Sequence, residues 1–241
     1  MDFDVLCELW YKFQERPRPG RALNKARNRT GQPKMVFDRL LTERELIFEI
    51  KKQAVYSHLG YRNRQTVLSE KMKTLVDKVF SKAIELIEPL GVYIARRIKE
   101  KARVITFVNS DIVIESSSVS KLLSGSFGAI FMAVTIGPAL ERKIDDEIKE
   151  HNNEKALVFD AVGSGSAEAA ANALNNHLIT QSRQAKLFLT TRFSPGYGDL
   201  PLTFQRDLYR ELSLDELGIR ITEKCILYPQ KTITAVIGVE Q

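Results

Sequence analysis

The chain has little of the chemistry that disulfides, metals and membranes require. Two cysteines, Cys7 and Cys225, stand far apart in 241 residues. Neither has a CxxC partner, so a disulfide-stapled secreted fold and a cysteine-based zinc site are not expected. The three histidines, His58, His151 and His177, never pair with one another or with cysteine at metal-ligand spacing, so no metal site is expected. No apolar run is long enough to cross a bilayer, and Met1-Asp2-Phe3-Asp4 lacks the basic start of a secretory signal. Nucleophile elbow, Walker loop and paired-carboxylate spacing are all missing. These absences favour a reduced, cytoplasmic chain without a resident metal or a catalytic triad.

The 44% hydrophobic and 27% charged fractions are those of a globular protein that can bury a sizeable core. The net charge of +6 is local. Arg16, Arg18, Arg21, Lys25, Arg27, Arg29 and Lys34 face the single acid Glu15, and acids and bases nearly balance elsewhere. No aromatic residue interleaves those cations as stacking platforms would require, so a nucleic-acid partner is not favoured. Phe3, Leu6, Leu9, Trp10 and Phe13 have the spacing of a short docking helix. Residues 1–40 are therefore read as an N-terminal helix plus a basic flexible arm, and 41–241 as the folded domain.

Along the domain, Arg44–Ile50 is predicted as a strand and Lys51–Leu59 as a short helix closed by Gly60. Apolar residues at three- and four-residue spacing from Val67 to Ile87 predict a longer helix that ends before Pro89-Leu90-Gly91. Three β-branched runs come next, Val92–Ile98, Arg103–Val108 and Asp111–Glu115, the last two joined by a hairpin turn at Asn109-Ser110. The serines from 116 to 120 suit the cap of a helix through Leu123. Gly128–Ile136 is apolar on both faces, the pattern of a central strand, and Pro138 opens a helix with Leu140, Ile144 and Ile148 on one side. Glu154–Gln181 is helical with a stripe of small residues, Gly163, Ala167 and Ala170, running into Leu174 and Leu178. A strand at Lys186–Thr191, a helix at Thr203–Leu212 and strands at Cys225–Tyr228 and Thr232–Val239 complete the pattern. Strands and helices come in runs, so the expected class is α+β: a largely antiparallel twisted sheet with packed helices. Cys225, in an apolar run, is read as inert packing.

Recognition chemistry concentrates in one loop, Arg192-Phe193-Ser194-Pro195-Gly196-Tyr197-Gly198-Asp199-Leu200-Pro201. Arg192 supplies a fixed fork of donors, Tyr197 a flat amphipathic ring, and the glycines let a ligand approach the backbone. The rival is Asp160-Ala161-Val162-Gly163-Ser164-Gly165, which faintly resembles the glycine loop of Rossmann-type methyltransferases. Its first glycine comes one residue late, and Thr180-Gln181-Ser182 stands where a ribose-binding acid belongs. The packing-helix reading of that stretch is preferred.

Arg192-x-x-Pro195-Gly196-Tyr197, then a helix, then Gly218-Ile219-x-Ile221-Thr222-Glu223 and a hairpin around Pro229 resemble the activation domain of cobalamin-dependent methionine synthase. Val134–Ile144, Phe159-Asp160-Ala161-x-Gly163-Ser164 and Leu59-Gly60-Tyr61-Arg62 resemble its stand-alone bacterial relatives, and the likeness spans roughly residues 45–241. The resemblance implies a domain that binds S-adenosylmethionine, with cobalamin supplied only by a partner protein. That partner would be a corrinoid protein, or a methionine synthase lacking its own activation domain, reduced by a flavodoxin-type donor and remethylated. It also implies a ligand site in which Arg192 pairs with the ligand carboxylate, Gly196 allows close backbone approach and Tyr197 packs on the ligand. Ser194 and Pro195 belong to the same motif, and Glu223 is the candidate contact from across the sheet. The alternative is a scaffold that docks a corrinoid protein without using S-adenosylmethionine. One departure from the family pattern is Gly198-Asp199-Leu200-Pro201: Asp199 puts a negative charge beside the expected carboxylate pocket, which opposes Arg192 unless it points away or pairs elsewhere.

Overall fold

The computed structural model describes residues 35–44, 46–61, 69–102 and 104–241. The expected docking helix and most of the basic arm lie outside them, as do Val67 and Leu68 of the longer helix. Among the described residues, seven strands form one antiparallel sheet. β1 (Leu41–Glu43), β2 (Leu90–Lys101), β3 (Ile105–Phe107), β4 (Val113–Ile114), β5 (Gly128–Thr135), β6 (Phe188–Leu189) and β9 (Thr232–Glu240) take the order β4-β3-β2-β5-β9-β6. β1 shares the outer edge of β2 with β3, taking its first half while β3 takes its end, and a bulge between Ile98 and Glu100 bends β2 there. The α+β expectation is met, with a curled antiparallel sheet.

Every residue of β5 is buried, as its two-sided apolar pattern predicted. Side-chain alternation divides the core in two. Tyr93, Ile130, Met132, Val134, Ala235 and Ile237 face one layer, and Val92, Ile94, Phe131, Ala133 and Val236 face the other. The first layer is helical: α1 (Lys52–His58), α2 (Glu70–Glu85), α4 (Ala139–Lys149) and α5 (Asn153–Gln184). The second holds α3 (Ser117–Leu122), α6 (Gln205–Glu211) and a small hairpin, β7 (Arg220–Ile221) with β8 (Leu227–Tyr228).

Several boundaries differ from expectation. Residues 46–50 form no strand, and the strand lies earlier, at β1. The expected face is kept, with Leu46, Phe48 and Ile50 packed on the first core layer and Ile47 exposed, but the segment pairs with no described strand. Ile148 is exposed although α4 buries Leu140, because the last turn of the helix turns Glu147 inward instead. Cys225 is buried as expected, but it lies in the turn of the small hairpin at φ 62°, outside any strand.

The 32-residue α5 spans about 48 Å at 1.5 Å per residue. Its small-residue stripe has a packing cause. A side chain at Gly163 would begin 2.9 Å from Leu140 Cδ2 and 3.2 Å from Lys231 Cε, so the glycine lets α4 and the start of β9 close on the helix. Helix propensity worth about 1 kcal/mol is given up for that approach. Both Gly163 and Gly165 lie inside continuous helix, which excludes a Rossmann phosphate loop at this stretch. Lys231 Nζ completes the junction, 2.7 Å from Asp160 Oδ1 and donating to Ser164 Oγ at 2.9 Å.

Beside it, the buried carboxylate of Glu141 accepts the Gln230 N–H at 3.1 and 3.0 Å from its two oxygens. Burial pushes the Glu141 pKa above its ordinary 4.5. The folded state therefore holds this proton more tightly than the unfolded chain does. That contribution to stability is complete below 4.5 and lost as pH rises through the raised value. Glu141→Gln keeps an acceptor for Gln230 without the charge. At pH 7 the variant is expected to melt no lower than the parent, and between pH 7 and 4.5 to lack the parent's gain in melting temperature from this group.

Candidate functional site

The site begins where the sheet edge is interrupted. Phe188 and Leu189 pair with Glu240 and Val239, and Phe193 bridges Val236 through both its N–H (2.9 Å) and its C=O (2.8 Å). Four steps from Leu189 to Phe193 thus answer three along β9, so the edge carries one extra residue. A bulge of this kind shifts every later side chain to the opposite face. Phe193 accordingly packs into the second core layer, while Arg192 is turned toward α5 on the first.

There the Arg192 Nη2 donates to Asn172 Oδ1 at 2.7 Å and stands 3.7 Å from Glu168 Oε2. The side chain is 20% exposed, and its Nη1 is buried without a hydrogen-bond partner among the described residues. Asn175 Oδ1 is likewise buried and unpartnered. Glu168, Asn172 and Asn175 recur at four and three on α5 and so share one helix face. The Glu168 contact is long and its carboxylate is mostly exposed, so water screens it and it neutralises Arg192 weakly. The result is an orphan donor on Arg192 and an orphan acceptor on Asn175, each buried and costly to leave unmet.

The loop then closes on itself. Tyr197 N–H donates to the Ser194 carbonyl at 3.3 Å, with Pro195 and Gly196 between them. Gly196 takes φ 88°, the conformation a type II turn requires at its third residue. Gly196 N–H donates to the Leu200 carbonyl at 2.9 Å, and Leu200 N–H to that of Tyr197 at 3.1 Å. Pro195 is buried as the turn's foot, and the Tyr197 ring is 70% exposed. Ser194, Pro195, Gly196 and Tyr197 thus form one turn, and Arg192 precedes it on the sheet edge.

Glu223 is not part of the main sheet. It occupies the exposed turn of the β7–β8 hairpin, where its carbonyl accepts from Arg206 Nη2 at 2.5 Å. A hairpin separate from the sheet cannot present it across that sheet, so its expected placement is corrected. Asp199, next to the turn, is directed away from Arg192. Its carboxylate accepts four hydrogen bonds from Ser116, Ser117 and Ser118 at the start of α3, which hold its pKa far below the usual carboxylate range.

A further feature comes from β9. Because Val236 exchanges hydrogen bonds with Phe193, the even residues of β9 aim their peptide groups at the outer edge and the odd ones at β5. The loop leaves the sheet beyond Phe193, so no described strand pairs with the peptide of Thr234, which is 4% exposed. Thr234 keeps a hydroxyl bond to Gln205 Oε1 at 2.9 Å. A buried strand edge next to the Phe193 bridge thus offers one N–H and one C=O.

Neither Asn172, Asn175 and Glu168 nor the Thr234 peptide was among the residues expected from sequence. Polar side chains at four and three on an otherwise small-residue helix were the available signal for the first group. Nothing local marks the second, since which peptide is left unpaired depends on where the edge is interrupted.

No family profile matches the chain, and the comparison with curated proteins returns no match. Among solved structures, the chain is similar to the MetH reactivation domain bound to AdoHcy. The TM-score is 0.61 at 12% identity, covering 83% of this chain and 78% of that one. The fold is thus that of the reactivation domain. Gly196→Ala tests the turn: a methyl at Gly196 would make an ordinary contact with Leu202 Cδ1 at 3.6 Å, but the positive φ does not favour one. A loss of about 1 kcal/mol in unfolding free energy is expected, read from the denaturant midpoint.

Proposed function

We propose that the protein binds S-adenosylmethionine, or the S-adenosylhomocysteine left after methyl transfer, where α5, β9 and the Arg192 loop meet. It does so to support remethylation of a cobalamin-dependent methyltransferase in trans. The observation that carries the reading is the buried, unpartnered Arg192 Nη1. A carboxylate there would complete a charge-assisted contact that the protein alone leaves open. The unpartnered Asn175 Oδ1 suits a donor, such as an ammonium, and the free Thr234 peptide suits a group with one donor and one acceptor side by side. Gly196 lets the ligand approach the backbone, and the exposed Tyr197 ring supplies a face to pack against it. Ser194 and Pro195 shape the turn. Glu223 stays a rim candidate, on its own hairpin. The structural relative's bound AdoHcy is consistent with this assignment.

The ligand, when bound, supplies a sulfonium methyl. Displacement at that carbon needs alignment and no proton transfer, so the protein's part is to bind, orient and exclude water. Cobalamin would come with the partner, a corrinoid protein or a methionine synthase without its own activation domain, and electrons from a flavodoxin-type donor. On this reading the protein works in the cytoplasm with those partners. No helix among the described residues is long and apolar enough to cross a membrane.

Calorimetric titration with S-adenosylhomocysteine tests the site. Saturable binding is expected, and Arg192→Ala is expected to weaken it by roughly 10- to 100-fold, the worth of a hydrogen bond to a charged group. Absence of binding at high micromolar ligand, or indifference to Arg192→Ala, would favour the docking scaffold. The trans role is tested by adding the protein, S-adenosylmethionine and a reductant to an oxidised methionine synthase truncated before its activation domain. Recovery of methyl transfer is expected with the parent protein and not with Arg192→Ala.

A further inference from the structure

Asp199 lies in the same loop as Arg192 and carries the opposite charge, yet the two make no contact, because the carboxylate is fully engaged elsewhere. Oδ1 accepts the Ser116 hydroxyl at 2.6 Å and the Ser118 N–H at 3.1 Å, and Oδ2 accepts the Ser117 N–H at 2.6 Å and its hydroxyl at 2.7 Å. Ser116 Oγ also accepts the Val119 N–H at 3.1 Å, so one hydroxyl joins the carboxylate to the first turn of α3. The approach is close on the neighbouring residue too: a side chain at Gly198, φ 54°, would begin 2.9 Å from Ser118 Oγ.

Its place in the chain gives this anchor leverage. Leu200, the next residue, is buried, and its carbonyl and N–H hold Gly196 and Tyr197. On the other side of the turn, Phe193 is pinned to Val236. The Ser194–Tyr197 turn is thus suspended between two fastenings, a strand edge and a carboxylate. Arg192 precedes the first and Asp199 forms the second.

We propose that Asp199 is a positioning residue: fastened to the start of α3, it holds the Ser194–Tyr197 turn in its ligand-accepting shape before any ligand arrives. The serine cluster is then the loop's receptor, and α3 becomes part of the site's support without touching the ligand. By occupying four donors, Asp199 is also kept from neutralising Arg192. The effect on ligand affinity rests on the function proposed above, whereas the effect on the empty loop does not.

The experiment uses the full chain as Asp199→Asn, Asp199→Ala and Ser117→Ala. Hydrogen exchange is read without ligand at the Gly196, Tyr197 and Leu200 amides and at those of β5, and S-adenosylhomocysteine affinity is measured by calorimetry. If the turn is in its competent shape nearly all the time when fastened and only about one-tenth of the time when released, both aspartate variants should raise loop exchange and weaken binding by about tenfold. The β5 amides should keep their protection. Asn is expected to fail like Ala, because in either orientation its amide NH2 would face a backbone N–H, that of Ser117 or of Ser118, where an acceptor is needed. Ser117→Ala, which keeps that backbone N–H, should stay within about twofold of the parent.

Asp199→Asn behaving like the parent in both measurements would mean the residue only fills space, and would overturn the proposal. Protection lost equally in the loop and in β5 would overturn it too, by assigning Asp199 to global stability. If the parent itself binds no S-adenosylhomocysteine while the aspartate variants still free the loop, the positioning role stands and the ligand assignment fails.

Discussion

Strand β9 lies inside the sheet, and the pairing of its outer edge governs the site. A buried strand must have its peptide groups met along both sides. β5 meets one side from Thr232 to Val239, but the other is met only from Val236 onward, and there by a chain with one residue too many. That extra residue sends Phe193 into the second core layer and leaves Arg192 on the helix side. The end of the pairing leaves the Thr234 peptide open. Arg192, the turn and the free edge are consequences of one interrupted ladder, which is why they lie together.

The helix side of this arrangement depends on α5. A long helix can lie close to the sheet only where its side chains are small, and Gly163, Ala167 and Ala170 provide that closeness while Leu174 and Leu178 fill the wider part of the layer. Polar residues on such a helix are brought near whatever edges the sheet. Asp160 and Ser164 meet Lys231, and Glu168 and Asn172 meet Arg192. The first meeting is satisfied within the protein. The second leaves donors over, and that difference separates a structural junction from a candidate ligand site.

Charge in the site is handled by separation. Arg192 and Asp199 share one loop but are directed to different layers, one to α5 and the other to the serines of α3. A direct pair would have cancelled the positive field of Arg192. The serine run at 116–118 is thus a receptor for the loop as well as a helix cap, a double use that its composition does not announce.

Much of this was legible from residues alone where the cause is local. The two-sided apolar run of β5, the Asn109 turn, the serine cap of α3, the Pro195-Gly196 turn and the small-residue helix all arise from propensity, periodicity or backbone freedom within a few residues. The sequence by itself determined those elements, the α+β class and the loop that gathers the recognition chemistry. Tertiary structure alone decided the direction of Arg192, the partners of Asp199, the recruitment of Asn172 and Asn175, the open peptide of Thr234 and the removal of Glu223 to a separate hairpin. The reason is that each of these depends on register and on which distant segment completes a hydrogen bond. A single extra residue in one edge strand turns every later side chain to the opposite face, and no local pattern in the chain records it.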